Sequence, residues 1–339
     1  MKVLVVGASG VLGRYVCKAL IEQRCEVVVG DYKAERGRQT AAALPLATFK
    51  EVDVTDSASL YAALQHIEAV IVVVKQEYPL VQKVCIEKNI PCIDVTVDEA
   101  FIEKVQDLKA EHTASILMAG FFPGLSGILI QEAISTFDSL ESVSIGLLQS
   151  TNANAGITGI TDMLRIVNHD VDGTPGFSEK RNMKFGEFAS SHVVRKIEHV
   201  ELKRLLQNKK LPRINYYTAW EKKSFNIIIR LLQKTGLLGH LTNQKGLLEK
   251  LVRHNPTQPE QAYLTIEATG LLREKKQKKE WRVRVRSDYE TTAAVTVALV
   301  KIVLENHITG IHFPYEITST HEILKNIDES KVRLIRVDL

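Results

Sequence analysis

Short apolar runs alternate with amphipathic stretches along the first third of the chain. The runs are Val3–Val6, Glu26–Gly30, Ala69–Val74, Cys92–Val95 and Ser115–Met118. Most are apolar at consecutive positions, which is typical of strands buried on both faces of a parallel sheet. Between them, stretches such as Val11–Glu22 and Glu99–Glu111 have helical spacing, and Asp56 or Ser57 and Asp98 are well placed as N-caps. The pattern predicts an α/β fold with a doubly wound parallel sheet.

The alternation changes after residue 125, where strand-like stretches mix with longer helices. We therefore predict a first domain over residues 1–124 and a second, α+β domain after it. Tyr263–Thr269 and Trp281–Arg286 have the pattern of paired strands. A basic run, REKKQKKEWRVRVR at residues 273–286, begins between these strands and overlaps the second one. It is expected to form a solvated hairpin tip.

Composition narrows the class of protein. The chain has 339 residues, 45% hydrophobic and 25% charged, which is enough for two domains with substantial cores. A net charge of +4 is too small to imply nucleic-acid binding. No apolar run approaches the roughly 20 residues of a membrane span, and Met1-Lys2 leads straight into the first predicted strand. We therefore expect a cytoplasmic protein.

The four cysteines carry no recognisable chemistry of their own. They form neither a CxxC pair nor a metal-ligand spacing, and the histidines are scattered along the chain. Buried thiols and no metal site are the expectation.

A glycine-rich turn follows the first predicted strand. In VLVVGASGVLG, the three glycines open the first helix in the order strand, turn, helix. Glycine permits a tight turn and a close approach of backbone to a pyrophosphate, while the helix N-terminus offers free N–H groups. The candidate dinucleotide contacts at this turn are Gly7, Ser9, Gly10, Val11, Leu12 and Gly13.

The end of the second predicted strand bears on the choice of dinucleotide. Asp31 is placed to accept hydrogen bonds from the adenosine ribose and to repel a 2′-phosphate, which favours NAD. Lys33, Arg36 and Arg38 follow closely, so NADP stays open, and Asp31 has the alternative role of capping the helix that begins near Lys33.

Further candidate contacts follow the third and fourth strands. Asp53 and Val54 could meet the adenine, although Asp53 has the alternative role of helix cap. Val74 ends the apolar run Ala69–Val74 and is a further candidate for contact with the cofactor.

Four segments, in order and covering nearly the whole chain, resemble the saccharopine dehydrogenase-like oxidoreductases. They are VLVVGASGVLGRYV, VCIEKNIPCIDVTVDEA, AGFFPGLSG and SDYETTAAVTVALVKIVLENHITGIHFPYEI. The resemblance implies a Rossmann domain at 1–124 and a second domain at 125–309 inserted after the sixth strand. It also implies that a C-terminal segment, 310–339, packs back beside the first domain.

The AGFFPGLSG turn is the most distinctive of these segments. The resemblance places Phe122, Pro123 and Gly124 near the nicotinamide, where they would supply shape and backbone groups, although an ordinary core crossover is the alternative. Saccharopine-forming enzymes carry an aspartate immediately before this Pro-Gly, and here Phe122 holds that place. The chain is therefore not expected to be a true saccharopine dehydrogenase.

Few side chains are left for acid–base chemistry. The candidates are Tyr78, Asp94 and Tyr289, the last assigned to the second domain. No tyrosine is followed four residues later by lysine, which argues against the short-chain dehydrogenase mechanism.

Together these features predict an NAD(P)-dependent oxidoreductase, with NAD favoured, that acts as a homodimer. It would transfer hydride to or from a small or hydrophobic carbonyl, imine or enoyl compound held between the two domains. A catalytically idle dinucleotide sensor or membrane-associated scaffold is the alternative. Residues 222–254 are rich in Leu, Ile and Lys, and their spacing predicts amphipathic helices broken near Gly236–Gly239. Packing within the second domain is favoured over covering an apolar cleft, contact with a membrane surface or a dimer face.

Overall fold

A computed structural model describes residues 1–206, 213–242, 244, 246, 248 and 254–338. The strands are β1 Lys2–Val6, β2 Glu26–Asp31, β3 Ala47–Glu51, β4 Ala69–Val72, β5 Cys92–Asp94, β6 Ala114–Ile116, β7 Ser139–Gln149, β8 Lys180–Phe185, β9 Ser190–Ile197, β10 Arg213–Trp220, β11 Ala262–Leu272, β12 Lys275–Val285, β13 Gly310–His312 and β14 Val332–Asp338. The helices are α1 Val11–Glu22, α2 Ala34–Ala42, α3 Ser57–Ala63, α4 Leu80–Glu87, α5 Glu99–Gln106, α6 Leu125–Thr136, α7 Ile157–Asn168, α8 Val200–Leu206, α9 Lys223–Lys234, α10 Leu237–Thr242, α11 Asp288–Glu305, α12 Pro314–Ile317 and α13 Thr320–Lys325.

The first sheet confirms the predicted doubly wound fold. In the described chain its strand order is β13-β6-β5-β4-β1-β2-β3, and every pairing in it is parallel. The apolar strands β1 and β4 are almost wholly buried, as their consecutive apolar residues indicate. Asp56 caps α3 and Asp98 caps α5 by accepting backbone N–H groups, as predicted.

The second sheet is mixed. Its order in the described residues is β14-β12-β11-β7-β10-β9-β8, with β10 parallel to β7 and the other pairs antiparallel. The predicted hairpin is present, but its tip is only Arg273-Glu274, both with positive φ. Most of the basic run is therefore strand β12 and not hairpin tip. Its cations are accommodated there in part by ion pairs of Lys278 and Arg282 with Glu280.

The chain forms two compact units. One comprises Met1–Ile128 with Tyr289–Ile327, and the other the described residues of Leu129–Asp288 and Asp328–Leu339. The sequence-based boundaries differ here, because α11 belongs to the first unit and not to the second. The C-terminal segment also divides: β13 extends the first sheet beside β6, as the resemblance implies, whereas β14 pairs with β12 in the second sheet.

The segment predicted as amphipathic helices contains α9 and α10, separated at Gly236. Ile229 and Leu238 are buried, while Ile227 and Leu231 are more than half exposed. Residues 243, 245, 247 and 249–253 of this segment lie outside the described residues. Within the described chain, no helix combines the length and apolar character needed to cross a bilayer. All four cysteines are buried and free, as predicted.

Candidate functional site

The glycine turn joins β1 to α1 at the carboxyl edge of the first sheet. Gly7 has a φ of 91°, which favours glycine, and its N–H donates to the Gly30 carbonyl at 2.9 Å. The Gly10 N–H donates to the Gly7 carbonyl at 3.0 Å and closes the turn. A Cβ on Gly13 would clash with the Gly7 carbonyl oxygen, so glycine is needed for α1 to approach the sheet this closely.

Gly10 has a different environment from the other two glycines. A Cβ built on it would meet only the Gly7 carbonyl oxygen, at 3.3 Å, and the residue is exposed. The first N–H groups of α1, including those of Val11 and Leu12, have no acceptor within a helix. The turn thus combines an exposed glycine with free N–H donors at a helix N-terminus, the kind of position that binds phosphate.

Asp31 lies at the end of β2 and is 3% exposed. Its Oδ1 accepts from the Lys33 N–H at 2.9 Å and from Arg36 Nη2 at 2.7 Å, and its Oδ2 accepts from Arg36 Nε at 2.9 Å. Burial acts to raise the pKa of this carboxyl, but hydrogen bonds from Arg36, Lys33 and Ser9 outweigh it and hold the pKa below its ordinary value. The Ser9 hydroxyl in turn accepts from Thr40 at 3.0 Å. Asp31 is therefore an ionised carboxylate paired with Arg36. Its bond to the Lys33 N–H precedes the helix, whose N-cap is Lys33 without a side-chain cap, so Asp31 does not cap α2.

Asp53 and Val54 follow β3. The Asp53 carboxylate accepts from the N–H and hydroxyl of Thr55 at 2.8 and 2.7 Å, and these bonds lower its pKa. Asp56, and not Asp53, caps α3. Val54 packs against the core of the first unit. Asp53 is therefore hydrogen-bonded within a local turn, and its contact with adenine stays a prediction.

The loop between β4 and α4, residues 73–79, contacts the glycine turn. Val74 is packed so closely over Gly7 that a Cβ on Gly7 would collide with its Cγ1. Farther along, Tyr78 is 65% exposed, and the Lys104 ammonium lies 4.6 Å from the centre of its ring. Lys104 also donates to the Glu77 carbonyl at 3.0 Å. Val74 is thus beside the turn, while Tyr78 is held on the solvent side of the same loop by α5.

Asp94, the last residue of β5, is 1% exposed. Its Oδ2 accepts from Gln76 Nε2 at 3.1 Å and Gln82 Nε2 at 2.6 Å, and its Oδ1 accepts from the Thr96 N–H at 2.8 Å. Burial raises the pKa of Asp94 to about 7, and these three bonds only partly oppose it. A side chain so enclosed is better suited to positioning its neighbours than to meeting a substrate. The sequence analysis did not identify Gln76 or Gln82, and nothing in the sequence pattern marks either as a partner of Asp94.

The AGFFPGLSG turn follows β6. The Phe122–Pro123 peptide bond is cis, and Gly124 has a φ of 121°. The Gly120 N–H donates to the Pro123 carbonyl at 3.1 Å, and the Leu125 N–H donates to the Gly120 carbonyl at 2.8 Å. Phe121 is buried and Phe122 half-buried, so the turn is compact and offers backbone groups and one partly open aromatic side chain.

Two threonines of α11 hold this turn in place. The Thr292 hydroxyl accepts from the Phe121 N–H at 3.2 Å, and the buried Thr296 hydroxyl donates to the Ala119 carbonyl at 2.7 Å. The Ala119 N–H donates to the backbone carbonyl of Asp94 at 3.0 Å. Sequence reasoning missed both threonines, although their spacing of four residues within an apolar helix was a signal for a shared contact.

Tyr289 lies in the first turn of α11. Its ring centre is 6.5 Å from that of Tyr15, which is on the second turn of α1. It therefore belongs to the first unit, in contrast to its predicted assignment, and lies near the helix that begins at the glycine turn.

The strand order brings most of the predicted site residues to one edge. The carboxyl ends of β1, β4, β5 and β6 are adjacent, so the glycine turn, Val74, Asp94 and the Phe122–Gly124 turn follow neighbouring strands. In open α/β sheets, ligands bind at this edge where the strand order reverses, here between β1 and β4. In the described part of the chain, no group of three or more His, Cys, Asp or Glu side chains is arranged to hold a metal ion.

Comparison with known proteins supports this assignment of the fold. Residues 3–87 match the model of the NAD dependent epimerase/dehydratase family. This range includes the glycine turn and Asp31 but covers only the first part of the chain. No curated protein sequence matches the chain.

Two solved structures are similar over almost the whole length. The apo saccharopine dehydrogenase (L-Glu forming) from Saccharomyces cerevisiae matches with a TM-score of 0.68 and 13% identity, covering 100% of this chain and 99% of that one. The C. glutamicum DAP dehydrogenase in complex with DAP matches with a TM-score of 0.50 and 11% identity, covering 95% of both chains. At such identities the likeness concerns the fold alone. The chain therefore has a fold similar to that of saccharopine dehydrogenase.

Proposed function

We propose that the chain is an NAD(P)-dependent oxidoreductase that transfers hydride to or from a carbonyl, imine or enoyl compound. The observation that carries the proposal is the glycine turn. Gly7 and Gly13 are glycine because of the protein's own packing, whereas Gly10 is exposed, and a Cβ on it would meet one atom, the Gly7 carbonyl oxygen at 3.3 Å, near the free N–H groups of α1. The dinucleotide-binding explanation accounts for this difference, since a pyrophosphate needs close approach to the backbone at this position.

The described residues fit such a cofactor along the sheet edge. The backbone of Gly7–Gly13 would hold the pyrophosphate, and Asp31 the adenosine ribose. Val74 and the Phe122–Gly124 turn would border the nicotinamide. When bound, the nicotinamide supplies the hydride chemistry, and the protein supplies binding, orientation and shelter from water.

NAD is the proposed cofactor of choice. The Asp31 carboxylate is buried and ionised at the strand end where a ribose would lie, and it would repel a 2′-phosphate. Arg36 compensates part of that charge by its two hydrogen bonds to Asp31. If Arg36 turned toward a 2′-phosphate it would have to leave a paired, buried carboxylate, which costs free energy.

The substrate is proposed to be small or hydrophobic. Phe122 offers an aromatic ring where saccharopine-forming enzymes carry a carboxylate, so a substrate amine would find no counter-charge at that position. Tyr78 and Tyr289 are the proposed proton donors, since Asp94 is enclosed. A tyrosine hydroxyl can donate a proton to a developing alkoxide or carbanion if it reaches within hydrogen-bond distance.

An assay of hydride transfer tests this function. Purified protein is incubated with NADH or NADPH deuterated at the nicotinamide C4 and, in turn, with hydrophobic ketones, imines and enoyl compounds. Saccharopine, which is already reduced, is incubated instead with NAD+ or NADP+. The expected result is deuterium in the product of a hydrophobic acceptor and no reduction of either cofactor by saccharopine. Lack of transfer to any acceptor, with the cofactor bound, would favour the dinucleotide-sensor alternative.

A further inference from the structure

Three buried side chains form a polar cluster at the end of β5: Asp94, Gln76 and Gln82, here called the Asp94 cluster. They come from three different elements, namely β5, the 73–79 loop and α4. Gln76 is 7% exposed and Gln82 is 0% exposed. Because Gln76 is two residues from Val74, a bond that fixes Gln76 also restricts the residue packed over Gly7.

The cluster has more acceptors than donors that reach them. In the described structure, Gln76 Oε1 and Gln82 Oε1 are buried and accept no hydrogen bond, while both amide nitrogens donate to the same oxygen of Asp94. A buried acceptor without a donor carries a desolvation cost. A protonated Asp94 has one O–H to donate. It could donate to one of these amide oxygens if that amide group rotates so that its oxygen, and not its nitrogen, faces Asp94.

We propose that Asp94 is a positioning residue that holds the 73–79 loop against the glycine turn through Gln76, and that a proton on Asp94 exchanges one hydrogen-bond arrangement of the cluster for another. In the ionised state the carboxylate accepts from both amides. In the protonated state its O–H donates to an amide oxygen, and one amide no longer donates to it. The relation of the loop to a cofactor rests on the proposed function, whereas the coupling of Asp94 to the loop does not.

The ionisation of Asp94 depends mainly on its burial and on the hydrogen bonds of this cluster. Among the described residues, the buried titratable groups on the elements around it are the thiols of Cys92, on its own strand, and Cys85, on α4. Lys75 and Asp98, which pair with each other at 3.0 Å, line a cleft together with Gln76. A hydrogen bond with Cys85 and burial raise the pKa of Cys92 well above its ordinary value, so this thiol stays neutral. The other groups in contact, the Thr96 and Ala119 N–H donors, do not titrate. Among the described residues, Asp94 forms no ion pair, and its pKa of about 7 places both protonation states near neutral pH.

The test uses the protein without cofactor. Gln76→Leu removes the amide donor of the loop, and Glu77→Gln, at the exposed next residue, is the matched control. The first measurement is the titration of the Asp94 carboxyl carbon by NMR, assigned with Asp94→Asn. We expect the wild-type carboxyl to titrate near pH 7 and its pKa to rise in Gln76→Leu, because the ionised state loses a donor, with no change in Glu77→Gln.

The second measurement is amide hydrogen exchange of residues 73–78, corrected for the intrinsic effect of pH. Loss of a hydrogen bond to a charged group corresponds to about a tenfold rise in exchange, so Gln76→Leu should raise it by about that factor and Glu77→Gln should not. A wild-type Asp94 that titrates near its ordinary value, or equal exchange in the two variants, would overturn the proposal. If Asp94→Asn does not fold, the comparison of Gln76→Leu with Glu77→Gln still decides it.

An NADH titration between pH 6 and 8.5 separates this proposal from the proposed function. We expect the wild-type Kd to change across the Asp94 titration and the Asp94→Asn Kd to stay level. A protein that binds no NADH contradicts the proposed function, while the exchange measurement still decides whether Asp94 holds the loop. A protein that binds NADH with the same pH dependence in Asp94→Asn contradicts the coupling to the cofactor site.

Discussion

Replacing Asp94 by asparagine should change how the stability of the first unit depends on pH. In the native protein, burial raises the pKa of Asp94 from an ordinary value of 3.8 to about 7. Between these two values the folded state binds a proton that the unfolded state has released. Stability is therefore highest at low pH with respect to this group, falls as the pH rises toward 7, and levels off above it.

The size of the effect follows from the shift. A difference of about three pKa units at 1.36 kcal/mol each gives about 4 kcal/mol over the whole range. Between pH 5 and 6 the wild type should lose about 1.3 kcal/mol of stability through Asp94, and the slope falls to half by pH 7, where the folded carboxyl is half ionised. Asparagine has the same shape and no charge, so Asp94→Asn should lack this slope.

Urea unfolding at several pH values between 5 and 8 provides the measurement, with far-UV circular dichroism as the signal. Both tryptophans, Trp220 and Trp281, lie in the second unit, so their fluorescence reports the unfolding of that unit, whereas circular dichroism reports the whole chain. Asp53→Asn is the matched control variant, since Asp53 is exposed and its lowered pKa lies below this pH window. Parallel pH profiles for the wild type and Asp94→Asn would refute the reasoning, because Asp94 would then ionise as it does in the unfolded chain.

Three other substitutions test separate parts of the site. Asp31→Ser should lower the ratio of the NADPH to the NADH dissociation constant, because it removes a repelling carboxylate and releases Arg36 to pair with a 2′-phosphate. A wild type that already prefers NADPH strongly would show that Asp31 does not face the ribose. Phe122→Asp should not create saccharopine turnover and should destabilise the turn, because a charge at this half-buried position loses part of its hydration. Robust saccharopine oxidation by the wild type, followed by NAD(P)H absorbance, would contradict the placement of Phe122. Thr296→Val should lower the free energy of unfolding by about 1–3 kcal/mol, because the buried Ala119 carbonyl loses its donor. Thr235→Val, at an exposed helix end, is the control, and equal unfolding curves for the two variants would show that Thr296 does not hold the turn in place.

The first unit could be predicted from the sequence because its signals are local. Consecutive apolar residues in β1 and β4 reflect burial on both faces, and the glycines of the first turn follow β1 at a fixed spacing, although the contact of Gly7 with Val74 is not local. The short β13 gave no such signal, since three half-buried residues have no distinctive pattern. The pairing of β14 with β12 was also missed, because it joins residues far apart in the chain and alternates between exposed and half-buried positions.

The candidate site divides in the same way. Gly7, Gly10, Gly13 and Asp31 were found by spacing from a strand end, and the structure places all of them at that edge. The Asp94 cluster was not foreseen as a cluster, since Gln76 and Gln82 meet Asp94 through the folding of a loop and a helix against β5. Arg36 was recognised as a nearby cation, but its paired hydrogen bonds to Asp31 depend on side-chain geometry that no pattern encodes.

The measurement that tests the central claim most directly is a calorimetric titration of NADH and NADPH into the wild type and Gly10→Val. A valine side chain would occupy the space in front of the turn that a pyrophosphate needs, so the variant should fold and lose dinucleotide binding while the wild type binds. Gly239→Val is the matched control, since its Cβ would meet only Asn168 Nδ2 at 3.6 Å, and it should bind as the wild type does. Unchanged affinity in a folded Gly10→Val protein, or no binding of either dinucleotide by the wild type, would contradict the account.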